Sequence, residues 1–170
     1  SFIKSTQIIY ANRVFIFSTD TSGNDLTALS ISTADPAVTS STVVADDVDS
    51  DLFELEGDGT HIYLFYKIVS ITYIRIMKLD SLLATVATKR VSGPAPTNVK
   101  CMAIHTFDSV YYSKGVICFG WSETNVMKAL VVDLSLVDIV SAKTLMTAST
   151  TPNSLLIIRA QDDVQGNFVN

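Results

Sequence analysis

The sequence predicts an all-β fold made of one four-stranded unit used repeatedly. Three observations carry this expectation. Apolar quartets recur as Val14-Phe15-Ile16-Phe17, Ile62-Tyr63-Leu64-Phe65 and Val116-Ile117-Cys118-Phe119, and a spacing near fifty residues marks a chain built from copies of one supersecondary unit. The apolar stretches are short and rich in Val, Ile, Thr, Tyr and Phe, whose branched or planar side chains pack well on a pleated surface. Turn residues separate them, including Gly57-Asp58-Gly59, Ser92-Gly93-Pro94 and Ser122-Glu123-Thr124-Asn125; Gly and Asn tolerate positive φ there, and Pro removes a ladder donor.

Taken in order, the first unit (residues 5–45) has strands expected at 7–10, 14–17, 26–31 and 38–44. The second (46–97) repeats them at 52–55, 62–65, 73–79 and 84–91. The third (98–150) places them at 101–104, 116–119, 128–134 and 137–145. A further start, Ser154-Leu155-Leu156-Ile157-Ile158, opens a fourth unit over 151–170. The stretch from Leu134 to Met146 also reads as an amphipathic helix, but its Val137-Asp138-Ile139-Val140 centre and its place in the repeat favour strands.

Within each unit the second strand is almost continuously apolar, as a strand covered on both faces should be. The fourth alternates with Ser, Thr and Lys, as a half-exposed outer strand should. Four strands graded from buried to exposed, repeated at about fifty residues, resemble the blades of a β-propeller across nearly the whole chain. A β-sandwich, which also has short strands at close spacing, is the alternative fold; it offers no reason for a repeat of four. The Gly-His and Trp-Asp pairs of WD40 blades, the double glycines of kelch blades and the Ser-x-Asp-x-Gly-x-Thr boxes of sialidases are absent from the sequence. The resemblance therefore implies a single all-β repeat domain serving as a scaffold, of the sort that presents binding surfaces in bacteriophage tail and hub proteins. About three and a half blades are expected, fewer than the roughly four to eight of a closed ring. Hence the sequence is expected to be part of a longer chain, or to have its edges completed by other protein chains or additional blades.

Composition fits a buried core: 48% of the 170 residues are apolar and only 17% charged. No apolar run reaches the length of a membrane-spanning helix. A net charge of −5 and a pI near 4.8 exclude binding to a phosphate backbone, which needs clustered Lys and Arg. Low charge with abundant Ser and Thr suits an extracellular or virion setting. Seven acids, Asp46, Asp47, Asp49, Asp51, Glu54, Glu56 and Asp58, fall together with no base between them. Glu54-x-Glu56-x-Asp58-Gly59 imitates the start of a calcium loop, in which alternate side chains converge on the ion. The ninth and twelfth positions of that loop are Ile62 and Phe65, where ligands are required, so no metal is expected. The same cluster reads either as a solvated loop or as a docking surface for a basic partner.

Catalysis finds no support. The two histidines, His61 and His105, lie at strand ends with no nucleophile elbow and no Cys-x-x-Cys beside them. Cys101 and Cys118 fall on neighbouring strands but read as free thiols, since Cys118 sits inside an apolar quartet. Between the first two strands of the third unit, an insertion from Thr106 to Gly115 carries Phe107, Tyr111 and Tyr112. Insertions on rigid scaffolds carry binding, and aromatic anchors suit interfaces. The expectation is a non-catalytic protein-interaction scaffold without cofactor. Its partner-binding residues are Tyr111, Tyr112 and Trp121 with the stretch Asp46, Asp47, Asp49 and Asp51. An enzyme or carbohydrate-binding protein whose active residues lie outside this segment is the alternative.

Overall fold

A computed structural model describes residues 3–8, 12–19, 24–70, 73–91, 99–107, 115–147, 155 and 157. All twelve of its elements are strands. The first sheet runs β1 (Ile3–Ile8), β2 (Arg13–Thr19), β3 (Leu26–Ser32), β4 (Thr39–Ala45). The second is β5 (Val48–Gly57), β6 (Ile62–Ile68), β7 (Ile74–Leu79), β8 (Thr85–Arg90). The third is β9 (Met102–Phe107), β10 (Val116–Glu123), β11 (Val126–Asp133), β12 (Asp138–Thr147). Each sheet is an antiparallel meander whose strands pair in chain order. Among the described residues no helix is long and apolar enough to cross a membrane.

The sheets stack face to face in an open array, consistent with either a propeller-like or a sandwich arrangement, with β1 beside β5 and β5 beside β9. Phe15 and Phe17 of β2, with Leu26 and Ala28 of β3, pack on Phe53, Leu55, Leu64, Tyr66 and Met77 of the second sheet. The opposite face of that sheet, Tyr63, Phe65, Ile74 and Ile76, packs on Met102, Ile117, Phe119, Trp121 and Leu130 of the third. Phe65 lies at the centre of this second interface, its ring centroid 5.0 Å from that of Phe119. The second sheet is thus covered on both faces, which is why β6 is apolar without alternation. The outermost strands β4, β8 and β12 are largely exposed. The gradient follows from position: an inner strand has neighbours on every side, and an outer one faces water along its free edge.

A turn between third and fourth strands recurs in the second and third sheets. Asp80 Oδ1 accepts the amides of Leu82 (2.8 Å) and Ala84 (2.9 Å), and Asp133 Oδ1 accepts those of Ser135 (2.8 Å) and Val137 (2.9 Å). In each turn a leucine takes the left-handed conformation, Leu83 and Leu136, both at φ 66°. The first sheet has a longer version closed by the Ser32 amide on the Val38 carbonyl. Anchored on Ser32, Asp80 and Asp133, the ladders make Val14, Ile62 and Ile117 equivalent, because they pair with Ile31, Leu79 and Val132. The third quartet is therefore offset by one residue from the spacing expected. Ile117, not Val116, matches Ile62, and since strand side chains alternate, a one-residue slip exchanges the two faces.

Candidate functional site

The acidic stretch does not form one surface. β5 begins at Val48 and absorbs most of it into a strand, whose irregular pairing between Val48 and Phe53 turns successive side chains apart. Asp47, at φ 57° in the connection before β5, ties that connection to the next hairpin. Its carbonyl accepts the Val69 amide (2.8 Å) and its carboxylate the Ser70 amide (3.0 Å). Asp49 pairs with Lys67 at 2.8 Å. Asp51 accepts the Ser50 hydroxyl, and Asp46 is exposed. Most of these acids thus hold local structure, which their sequence adjacency concealed.

Glu54, Glu56 and Asp58 do not converge, and no group of three metal-ligating side chains exists among the described residues. Glu56 lies 3.8 Å from His105 Nδ1 across the junction of β5 and β9. Burial pushes its pKa above the usual carboxylate range, and His105 offsets part of that rise. Asp58 behaves oppositely. Burial would raise its pKa, but the Tyr63 hydroxyl, the His61 and Thr60 amides and the His61 ring together hold it below the ordinary value.

Asp58 organises a polar cluster where the second and third sheets meet. Its Oδ1 accepts the amides of Thr60 (2.8 Å) and His61 (2.6 Å), and its Oδ2 accepts the Tyr63 hydroxyl at 2.7 Å. The Leu134 carbonyl of the Asp133 turn lies 3.4 Å from that hydroxyl and accepts Lys78 Nζ at 2.8 Å. Burial and the Asp58 carboxylate push the Tyr63 phenol far up, so it stays protonated as a donor. The group fastens one sheet to the next, and within it His61 Nδ1 is buried without a hydrogen-bond partner, 3.5 Å from Asp58 Oδ2.

Trp121, expected among the partner-binding aromatics, is only 2% exposed. It faces the second sheet, edge-on to Phe65 at 6.1 Å, and its indole Nε1 donates to Glu123 at 2.7 Å. The ring belongs to the core between sheets, as its equivalence to the buried Tyr66 requires. Tyr111 and Tyr112 lie outside the described residues. Cys101 and Cys118 are free thiols: the strands are neighbours, but Cys118 is opposite His105, while the Cys101 amide and thiol approach the Ser122 hydroxyl.

The two end faces of the stack are the remaining candidate surfaces. On the outer face of the first sheet, Val14, Ile16, Leu29 and Ile31 form a half-buried apolar patch through the pairs Val14–Ile31 and Ile16–Leu29. Their equivalents in the second sheet, Ile62, Leu64, Met77 and Leu79, are the residues that meet a neighbouring sheet. On the free face of the third sheet, Leu155 and Ile157 sit over Gly120. A Cβ there would approach Leu155 Cδ2 to 2.7 Å and Ile157 Cδ1 to 3.5 Å. Comparison with protein families, with characterised proteins and with solved structures finds no match to this chain.

Proposed function

We propose that the chain is a β-propeller-type scaffold that acts without catalysis, through surfaces offered to other protein chains or to further blades of the same chain. The observation that carries this is the seating of Leu155 and Ile157 over Gly120. These two apolar side chains cover the face of the third sheet turned away from the second, and they come from the stretch that the sequence assigns to a fourth unit. At the opposite end, Val14, Ile16, Leu29 and Ile31 repeat the positions by which the second and third sheets each receive a neighbour. The occupant this pattern fits is the complementary face of another four-stranded sheet, continuing an interface the molecule already uses twice. Low charge and abundant Ser and Thr favour an extracellular or virion assembly as the setting.

The test places a charge on that face. Ile16→Lys should lower the mass of the assembly seen by native mass spectrometry while the strand signal in circular dichroism is kept. Leu29→Lys serves as an independent second variant. Equal masses and equal melting temperatures for wild type and both variants would overturn the proposal.

A further inference from the structure

The junction between the first and second sheets differs from its counterpart in one respect. Between the second and third sheets, Lys78 and Tyr63 fill the space beneath the overhanging turn by reaching toward the Leu134 carbonyl. Ladder equivalence puts Ser30 where Lys78 stands, Phe15 where Tyr63 stands and Arg13 where His61 stands. Neither a serine nor a phenyl ring supplies a polar tip that reaches the turn. A small cleft of about 60 Å³ stays open there, lined by Arg13, Ser30 and Ser40 of the first sheet and by Ser81, Leu82 and Leu83 of the turn.

Arg13 Nη1 donates to Ser30 Oγ at 2.7 Å, and Ser30 is 2% exposed, so a buried hydroxyl holds the guanidinium in place. The other N–H donors of the guanidinium have no protein acceptor among the described residues, where the ion pairs involve other groups. Asp80, the acid of the overhanging turn, has its Oδ1 committed to the Leu82 and Ala84 amides. A positioned arginine in a cleft lined by three serines offers a donor set for an oxyanion, and the planar fork of the guanidinium matches a carboxylate. One positive charge neutralises one carboxylate, whereas a phosphate monoester near pH 7 carries about −1.5 to −2. Leu82 and Leu83 add an apolar wall. The volume lies below the ~300–1,000 Å³ of pockets for drug-sized ligands, which limits the occupant to a small acid or the acidic end of one.

We propose that this cleft binds the carboxylate of a small organic acid, with Arg13 as its ionic partner and Ser30, Ser40 and Ser81 as hydroxyl contacts. The proposal is independent of the scaffold reading. Its test is titration of the full ¹⁵N-labelled chain with acetate, glucuronate, glucose and inorganic phosphate, followed through the backbone amide signals. Acetate and glucuronate are expected to give saturable shifts at Ser40, Ser81 and Leu82, and glucose none. Arg13→Gln should weaken binding at least about tenfold, or 1.4 kcal/mol. Ser81→Glu, which sets a carboxylate over Arg13 from a partly exposed position that is not itself in the core cluster, should abolish it. The proposal is overturned by the absence of saturable shifts with either carboxylate, by shifts that persist in Ser81→Glu, or by tighter binding of phosphate than of both carboxylates.

Discussion

Asp58 is the residue whose environment most clearly sets a measurable property. It carries a charge-assisted bond to Tyr63 and two amide bonds in its own turn, and a hydrogen bond to a charged group contributes about 1.5–3 kcal/mol. Tyr63→Phe, which keeps the ring in the core and removes only the hydroxyl, should destabilise the chain by about 1–2 kcal/mol in urea unfolding at pH 7. The pH dependence follows from direction. The folded pKa of Asp58 is depressed, so its contribution is present above the unfolded value near ~4 and is lost as pH falls through the lower folded value. Glu56, raised by burial, works the other way: folding favours its protonated form, and that gain is lost as pH rises through its folded pKa. Asp58→Asn should therefore flatten the acid limb. Between about pH 5 and pH 3 the wild type should lose more stability than the variant, and equal losses would show that Asp58 does not govern that limb.

At the level of elements, the strands were the legible part, because short Val-, Ile- and Thr-rich runs between turn residues carry their own signal. β3, β7 and β11 lie within two residues of the stretches read from sequence, whereas β1 sits earlier, at Ile3–Ile8. The offset of the third quartet was not legible. Facing depends on the register from the turn, and Val116 and Ile117 are equally apolar. The fate of the acidic stretch was hidden for a related reason: adjacency in sequence does not reveal which carboxylates bond their own backbone. The repeated Asp turn shows a further conflict that only geometry resolves. Leu83 and Leu136 sit at φ 66°, a conformation that costs a non-glycine residue about 1–2 kcal/mol, yet their side chains are 9% and 5% exposed and join the two cores. Truncating a buried leucine costs about 2–5 kcal/mol, which outweighs the strain. Leu136→Gly should thus destabilise the chain by about 1–3 kcal/mol despite relieving the backbone. A rise in the unfolding midpoint would mean the strain is the larger effect.

Over the whole molecule, stability rests on sheet-against-sheet packing, since each meander presents an apolar face it cannot bury alone. The second sheet is covered on both sides, and on the third sheet the face turned away from the second receives Leu155 and Ile157. Gly120 belongs to that contact. Its φ is not in the left-handed region, so its role is spatial: without a Cβ, β10 lets Leu155 and Ile157 come down onto the sheet. Cys118 lies two residues earlier on the same strand, hence on the same face, and reports whether that face is covered. Burial holds its thiol above the ordinary value, and each unit of such a shift withholds about tenfold of the reactive thiolate. Leu155→Asp, which cannot seat on an apolar face, should accelerate alkylation of Cys118 while leaving that of Cys101, on the adjoining side of Ser122, much less changed. Peptide mapping after timed labelling distinguishes the two thiols. Equal acceleration at both would indicate general loosening of the third sheet, and unchanged labelling of Cys118 would mean that Leu155 is not what shields it.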